Sequence, residues 1–282
     1  MGIRIVTDST ADLPKALCEE YGIEVVPLTV NFGPESYLDG VNLDSAAFWA
    51  KLRQSPHHPS TANPAPGDFL ERYRRIHEAG DEIISIHISS RMSGTSQSAQ
   101  IAAQMLPEAG ISVIDTRSVS LGLGLVVTGA ARMAREGKSR EEIVSWAQAT
   151  CDRMNILFTI DTLEFLQRNG RIGKAAALLG SLLGLKLILQ VDKEGVVAPA
   201  DKVRGRSRVL ARAQEIMQQR VPPGRRIRLA IVHAQSPDEA RAWGEEVKRY
   251  YQVEEYLVGD LGAVVACHAG PGALGIIFHE VD

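Results

Sequence analysis

Short apolar runs that alternate with amphipathic segments constrain this chain more than any other feature. "IRIV", "IEVVPLTVNFG" (interrupted by Pro27), "EIISIHIS" and "ISVIDT" read as strands. Between them lie helical patterns: "ADLPKALCEEYG" closed by Gly22, "LDSAAFWAKLRQ" capped by Asp44 or Ser45, "GDFLERYRRIHEAG" ending at Gly80, and "SGTSQSAQIAAQML". Successive strands joined through helices need crossover connections, so the pattern predicts a mostly parallel sheet. Two more helices follow, "LGLGLVVTGAARMAREG" and "SREEIVSWAQATCDRM", the second opened by an S-x-x-E capping box.

The second half is patterned differently. "NILFTI" and "LILQVDKEGVVAPADKVR" read as strands, the latter folded into a hairpin at Lys193–Glu194–Gly195. "SRVLARAQEIMQQRV" and "SPDEARAWGEEVKRYY" are helical patterns, and "RIRLAIVHA" and "GALGIIFHEV" are strands. The fold class expected is therefore α/β in two domains. Residues 1–154 form an α/β domain with a mostly parallel sheet, and residues 155–282 an α+β domain, with the boundary near Met154. No flexible linker separates them, so they should pack closely. "RVPPGRR" is a short turn.

With 282 residues and 45% hydrophobic content, the chain can bury a sizeable core. Aromatics at 5% argue against platforms for sugars or stacked bases, and a net charge of −3 gives no electrostatic reason to expect nucleic acid. Cys18, Cys151 and Cys267 lie far apart without a CxxC pair, against a disulfide framework or structural zinc. "MGIRIVTDST" lacks the basic region and long apolar stretch of a secretory leader. The greasiest run, "AAALLGSLLGLKLILQV", is short for a membrane span and carries Gly180, Gly184 and Lys186. A cytoplasmic protein without a transmembrane segment is expected.

Several loops carry chemistry. In "VTDSTADLP", Asp8 and Ser9 follow the first strand, where the strand ends of a parallel domain line a ligand crevice; Asp12 is suited to capping. In "HHPSTANPAPGDF", prolines freeze the loop and Thr61 stands mid-loop with a hydroxyl free for a ligand; His57 and His58 lack further metal ligands at motif spacing. "SRMSGTSQSA" joins a strand to a helix. Gly94 permits close backbone approach, and helix-opening N–H groups with the Ser93 and Thr95 hydroxyls form an anion site. The G-x-S-x-G elbow is absent, as is the glycine–lysine pattern of a phosphate loop. A carboxylate is the simplest guest.

Small residues (Ala175, Ala176, Ala177, Gly180, Ser181, Gly184) alternate with leucines in the apolar segment after the basic turn Arg168–Arg171, which points to a cavity lining. Lys202, Arg204, Arg206 and Arg208 suit a phosphate or an acidic partner. His268 falls in the glycine-rich turn "CHAGPGALG". A hydrolase or acyltransferase with Ser93 as nucleophile and His268 as base, or a small-anion enzyme using the arginines, are alternatives from other classes.

"IVTDSTADLP", "TANPAPGDF", "SSRMSGTSQSA", "TLEFLQRNGRIG" and "CHAGPGALG", in this order and spacing across the whole chain, resemble the DegV family of bacterial lipid-binding proteins. The resemblance implies a long-chain fatty acid as ligand, no other cofactor and no metal. Its carboxylate is held by Thr61 and Ser93, and its acyl chain runs through a tunnel at and below the domain interface, in the second domain. It implies no turnover by the chain alone. Some members present the fatty acid to a separate ATP-dependent fatty acid kinase, which makes an acyl-phosphate for phospholipid synthesis. Gly94, Thr95, Arg171, Arg204, Arg206 and His268 are secondary candidates for the ligand or that partner. The chain departs from the pattern at Asn169, where a glycine is expected; asparagine tolerates positive φ.

Overall fold

The computed structural model describes residues 2–179, 185–205 and 207–281. The first part comprises β1 (Ile3–Asp8), α1 (Lys15–Tyr21), β2 (Glu24–Val26), β3 (Thr29–Phe32), β4 (Glu35–Leu38), α2 (Ser45–Gln54), β5 (Ser60–Ala62), α3 (Pro66–Glu78), β6 (Glu82–His87), α4 (Thr95–Gln104), β7 (Ser112–Asp115), α5 (Leu121–Arg135) and α6 (Arg140–Arg153). The second comprises β8 (Asn155–Thr159), α7 (Glu164–Arg168), β9 (Leu185–Val191), β10 (Val197–Arg204), α8 (Ser207–Arg220), β11 (Arg226–His233), α9 (Pro237–Lys248), β12 (Gln252–Asp260), α10 (Ala263–Ala269) and β13 (Leu274–Glu280).

Crossovers through helices produce the expected parallel sheet, ordered β2-β1-β6-β7. The caps behave as their chemistry demands: Asp44 accepts the Ala47 N–H, and Ser139 and Glu142 close the capping box on α6. Pro27 does more than interrupt a strand. β2 ends before it and β3 begins beyond it in a separate antiparallel sheet, β4-β3-β5. Thr61 therefore lies on a short strand, paired with Val30, and not in a free loop. β4, β5 and β12 carry too little apolar alternation to be read from sequence.

The larger sheet is ordered β10-β9-β8-β13-β11-β12. The β9–β10 hairpin turns at Gly195, whose φ is 77° and where a Cβ would come 2.2 Å from Ser89 Oγ. Side chains alternate between its faces. Leu157, Ile188, Leu229, Ile231, Ile276 and Phe278 face out and are covered by Val209 and Met217 of α8 and Trp243 of α9. Ile156, Val191, Val197, Ala230, Val232 and Ile277 face in, toward the first part of the chain. α5 fills the space between. It is buried on every side from Leu121 to Ala131 and touches β1 and β6 on one side and β11 and β13 on the other.

A buried polar chain pins the parallel sheet. Asp8 accepts the Thr10 N–H at 3.1 Å, the Ile88 N–H at 3.1 Å and the Thr10 hydroxyl, and lies 2.9 Å from His87 Nδ1. His87 Nε2 meets Ser85 Oγ at 2.6 Å, which accepts the Tyr73 hydroxyl at 2.7 Å. Asp8 is thus used up by the fold and is absent from the cavity lining described below, contrary to the sequence reading; Ser9 likewise accepts the Leu28 N–H. Asp8→Ala would leave several buried donors without an acceptor. It should cost about 3–5 kcal/mol in urea denaturation, and Asp8→Asn, which keeps one acceptor oxygen, should cost less.

Candidate functional site

Where the inner face of the six-stranded sheet meets the first part of the chain, packing leaves a cavity of about 140 Å³. Its floor is two cross-strand rows. Val197, Val191, Ile156 and Ile277 stand in register in one, and Phe158, Gly275 and Val232 in the next. Its roof comes from Leu261 and from Val264, Val265, His268 and Ala269 around α10, with Leu28, Ile88, Met92 and Val119 from the first part. The lining is therefore overwhelmingly apolar, which favours a hydrocarbon guest.

Polar groups are few: Thr10, Thr61, Asn63, Ser93, Ser120, Arg171 and His268. Thr61 Oγ1 lies 2.9 Å from His268 Nε2. His268 Nδ1 is buried without a partner. A bare lone pair is tolerated there better than an orphaned N–H, so the proton belongs on Nε2 and is donated to Thr61. The Thr61 hydroxyl proton is thereby free for a guest. Ser93 Oγ and Thr95 Oγ1 are 2.8 Å apart, and Thr95 is fully buried. When Thr95 donates, Ser93 also has a proton to offer. Arg171 donates from Nε to the Met92 carbonyl at 3.1 Å, which places its charge beside Ser93. Burial first, then the Arg171 and His58 charges, pushes His268 down to about 4, so it is neutral at ordinary pH.

His268 bonds Thr61 and not Ser93, and among the described residues no carboxylate meets its Nδ1, an arrangement unlike a Ser–His–Asp triad.

α10 has seven residues, too few for a helix to hold itself in place. Two buried carboxylates hold its start. Asp12, with φ 51°, accepts the Gly262 N–H at 3.1 Å and the Ser120 hydroxyl; Asp39 accepts the Ala263 N–H at 3.0 Å. Desolvation pushes both up, Asp39 to about 6, and each feels the negative charge of Asp8. Ser120, held by Asp12, adopts φ 56° on the cavity wall, a conformation costing a serine about 1–3 kcal/mol.

Of the residues singled out in sequence, Thr61, Ser93, Arg171 and His268 converge on the cavity. His268 does so from a helix and not from a turn. Gly94 and Thr95 stand behind Ser93, Gly94 packed on the Asn63 side chain. Arg204 is exposed at the end of β10 and does not line the cavity, and Arg206 lies outside the described residues. The small-residue segment does not form the described wall. Ala175 is in the core, Ala176 and Ala177 are exposed, and 180–184 lie outside the described residues. Asn169 does not use positive φ; at −91° it leaves that to Gly170 at 68°. Thr10, Asn63 and Ser120 were missed. Asn63 stood within a quoted motif, whereas Ser120 has no local signal.

A family model described as uncharacterised protein, DegV family, matches residues 2–281. A DegV domain-containing protein of Deinococcus radiodurans is 40% identical, covering 100% of both chains. A solved structure on fatty acid binding of a DegV family protein from Thermus thermophilus aligns with TM-score 0.94 at 37% identity, covering 100% of each chain. DegV of Bacillus subtilis, described as a fatty acid binding protein, aligns with TM-score 0.90 at 33% identity over 100% of each chain. No helix among the described residues is long and apolar enough to cross a membrane.

His268 and Asp39 should titrate oppositely to their unfolded forms. A folded His268 at about 4, against an ordinary value near 6.5, contributes stability that is full above pH 6.5 and is lost as pH falls toward 4. A folded Asp39 at about 6 costs stability above that pH, and the cost is relieved as pH falls toward 4. The trends offset one another globally, so the check is site-resolved NMR. The His268 ring should titrate well below pH 5, and the Asp39 carboxyl near pH 6.

Proposed function

Because the chain belongs to the DegV family, we propose that it binds a long-chain fatty acid and presents it to a separate ATP-dependent fatty acid kinase. The carrying observation is an apolar cavity bordered by the Thr61 and Ser93 hydroxyls, the first 2.9 Å from His268 Nε2 and the second 2.8 Å from Thr95 Oγ1. Under this reading both donate to one carboxylate, at about 2.6–3.2 Å. Arg171 supplies a nearby positive charge, and neutral His268 keeps Thr61 oriented as a donor. Residues 1–154 then carry most of the head-group clamp, and residues 155–282 the sheet face along which the acyl chain lies.

Burying about sixteen carbons at roughly 0.8 kcal/mol per CH₂ contributes over about 10 kcal/mol before ordering costs. The walls therefore supply most of the affinity, and the clamp selects a carboxylate and fixes which end it occupies. In the paired reaction a carboxylate oxygen attacks the γ-phosphorus of ATP, the bond to the β-phosphate oxygen breaks, and ADP leaves with an acyl-phosphate bound. The chain supplies no phosphate loop, so the nucleotide belongs to the kinase. The exposed Arg204 and Arg171 suit an acidic docking face on that partner. The setting is cytoplasmic phospholipid synthesis.

Extraction and mass spectrometry of protein purified from a bacterial host should release a fatty acid at about one per chain. Ser93→Ala should weaken retention by about 1–3 kcal/mol, because a charged acceptor loses a donor in a dry site. With ATP and magnesium, acyl-phosphate should form only when the kinase is added. Formation without it, or ester hydrolysis lost on Ser93→Ala, would overturn the reading.

A further inference from the structure

Asn169 sits just past α7 and its side chain joins three elements at the polar end of the cavity. Its Nδ2 lies 3.0 Å from the Cys267 carbonyl on α10, 3.2 Å from the Phe165 carbonyl on α7, and 3.3 Å from His58 Nε2, ahead of β5. Two of these partners are carbonyl oxygens, which only accept, so the amide must turn its nitrogen toward them. Phe165 completes the contact. Its ring lies 5.1 Å from that of His58 and presses on Gly270, where a Cβ would come 2.6 Å from Phe165 Cδ2.

The Cys267 carbonyl belongs to the peptide that leads into His268. The last carbonyls of a helix have no partner within it, and those of a seven-residue helix are loosely set unless something outside holds them. The start of α10 is held by Asp12 and Asp39, and Asn169 holds its end. His268 has a single ring contact through hydrogen bonding, Thr61, since its Nδ1 is unpartnered. The direction of the imidazole therefore depends on where the last turn of α10 lies.

We infer that Asn169 is a positioning residue for the carboxylate clamp: by holding the Cys267 carbonyl, it aims His268 at Thr61 and so keeps the Thr61 hydroxyl proton turned toward the ligand. The inference rests on the fatty-acid reading above. It separates Asn169 from a plain surface staple, because its effect must pass through His268.

The test is a double-mutant cycle on ligand release. Fatty acid should transfer from Asn169→Asp to serum albumin about 3–10-fold faster than from the wild type, the size of one or two net hydrogen bonds. Asn169→Asp keeps the shape and removes the donors. Asn169→Gly, at a backbone conformation open to any residue, should behave alike and guards against misfolding of the first variant. In a His268→Ala background, Asn169→Asp should add nothing. Release at the wild-type rate in both single variants, or effects that simply add, would overturn the inference. A wild type that yields no fatty acid would overturn the proposed function instead. In that event, NMR of the His268 ring in the same protein decides. Displacement of its Nε2–H resonance in the uncharged Asn169→Gly supports the positioning role, and an unchanged resonance overturns it.

Discussion

The bond between Thr61 and His268 joins residues 207 apart in sequence, and the rest of the site is arranged around it. Thr61 comes from a short strand of the second small sheet, which the chain enters after Pro27. His268 comes from a helix laid across the cavity from the far end of the molecule. A hydroxyl can donate to a guest only when its oxygen's other demand is met within the protein. A neutral imidazole donating from Nε2 meets it, and burial keeps the imidazole neutral.

The six-stranded sheet carries the complementary part. Period-two alternation gives it two apolar faces; α8 and α9 pack on one, while the other meets α5 and the parallel layer and leaves the cavity between. Glycine matters on that face at Gly275, where a Cβ would come 2.9 Å from Val232 Cγ2 and lie on the cavity floor. An apolar gap bounded by a packed sheet is rigid on one side, so the length and width of a guest are set by side chains and not by backbone movement.

Much of this was legible in sequence because strong local signals agree with the fold. The capping box at Ser139 and Glu142, the hairpin at Gly195 and the apolar runs of β1, β6 and β11 each fix an element by local chemistry. Among the elements that were not legible, β4, β5 and β12 are strands whose side chains are largely polar or half-buried and whose pairing is decided by neighbours, and α10 is a short helix where a turn was expected. The same division runs through the site. Thr61 stood out as a hydroxyl among prolines, and Ser93 because an ordinary N-cap explains one hydroxyl at a helix start but not a second one from a different loop. Asp8 looked equally suggestive, yet the buried donors of Thr10, His87 and Ile88 claim it. Sequence shows the residue type but not which of its neighbours arrive to satisfy it. Wall residues drawn from five strands of one sheet leave no contiguous signature at all.

The contrast between the two histidine networks explains why one is a scaffold and the other a site. Asp8, His87, Ser85 and Tyr73 form a chain in which each link finds its partner inside the protein, and none of them lines the cavity described above. It has the residue types of a hydrolytic triad and nothing for a substrate to approach. At His268 the chain is left open: Nδ1 has no partner, and His268, Thr61 and Ser93 all border the same space. Buried polar groups are costly when unmatched, so an unfinished network beside an apolar cavity is an arrangement a fold tolerates where a guest completes it. A carboxylate on a hydrocarbon chain, the guest proposed above, would supply both missing parts, acceptor oxygens for the hydroxyls and apolar surface for the walls. A short α10, held at its start by carboxylates and at its end by an amide, lets that network be set by tertiary anchors rather than by the helix itself.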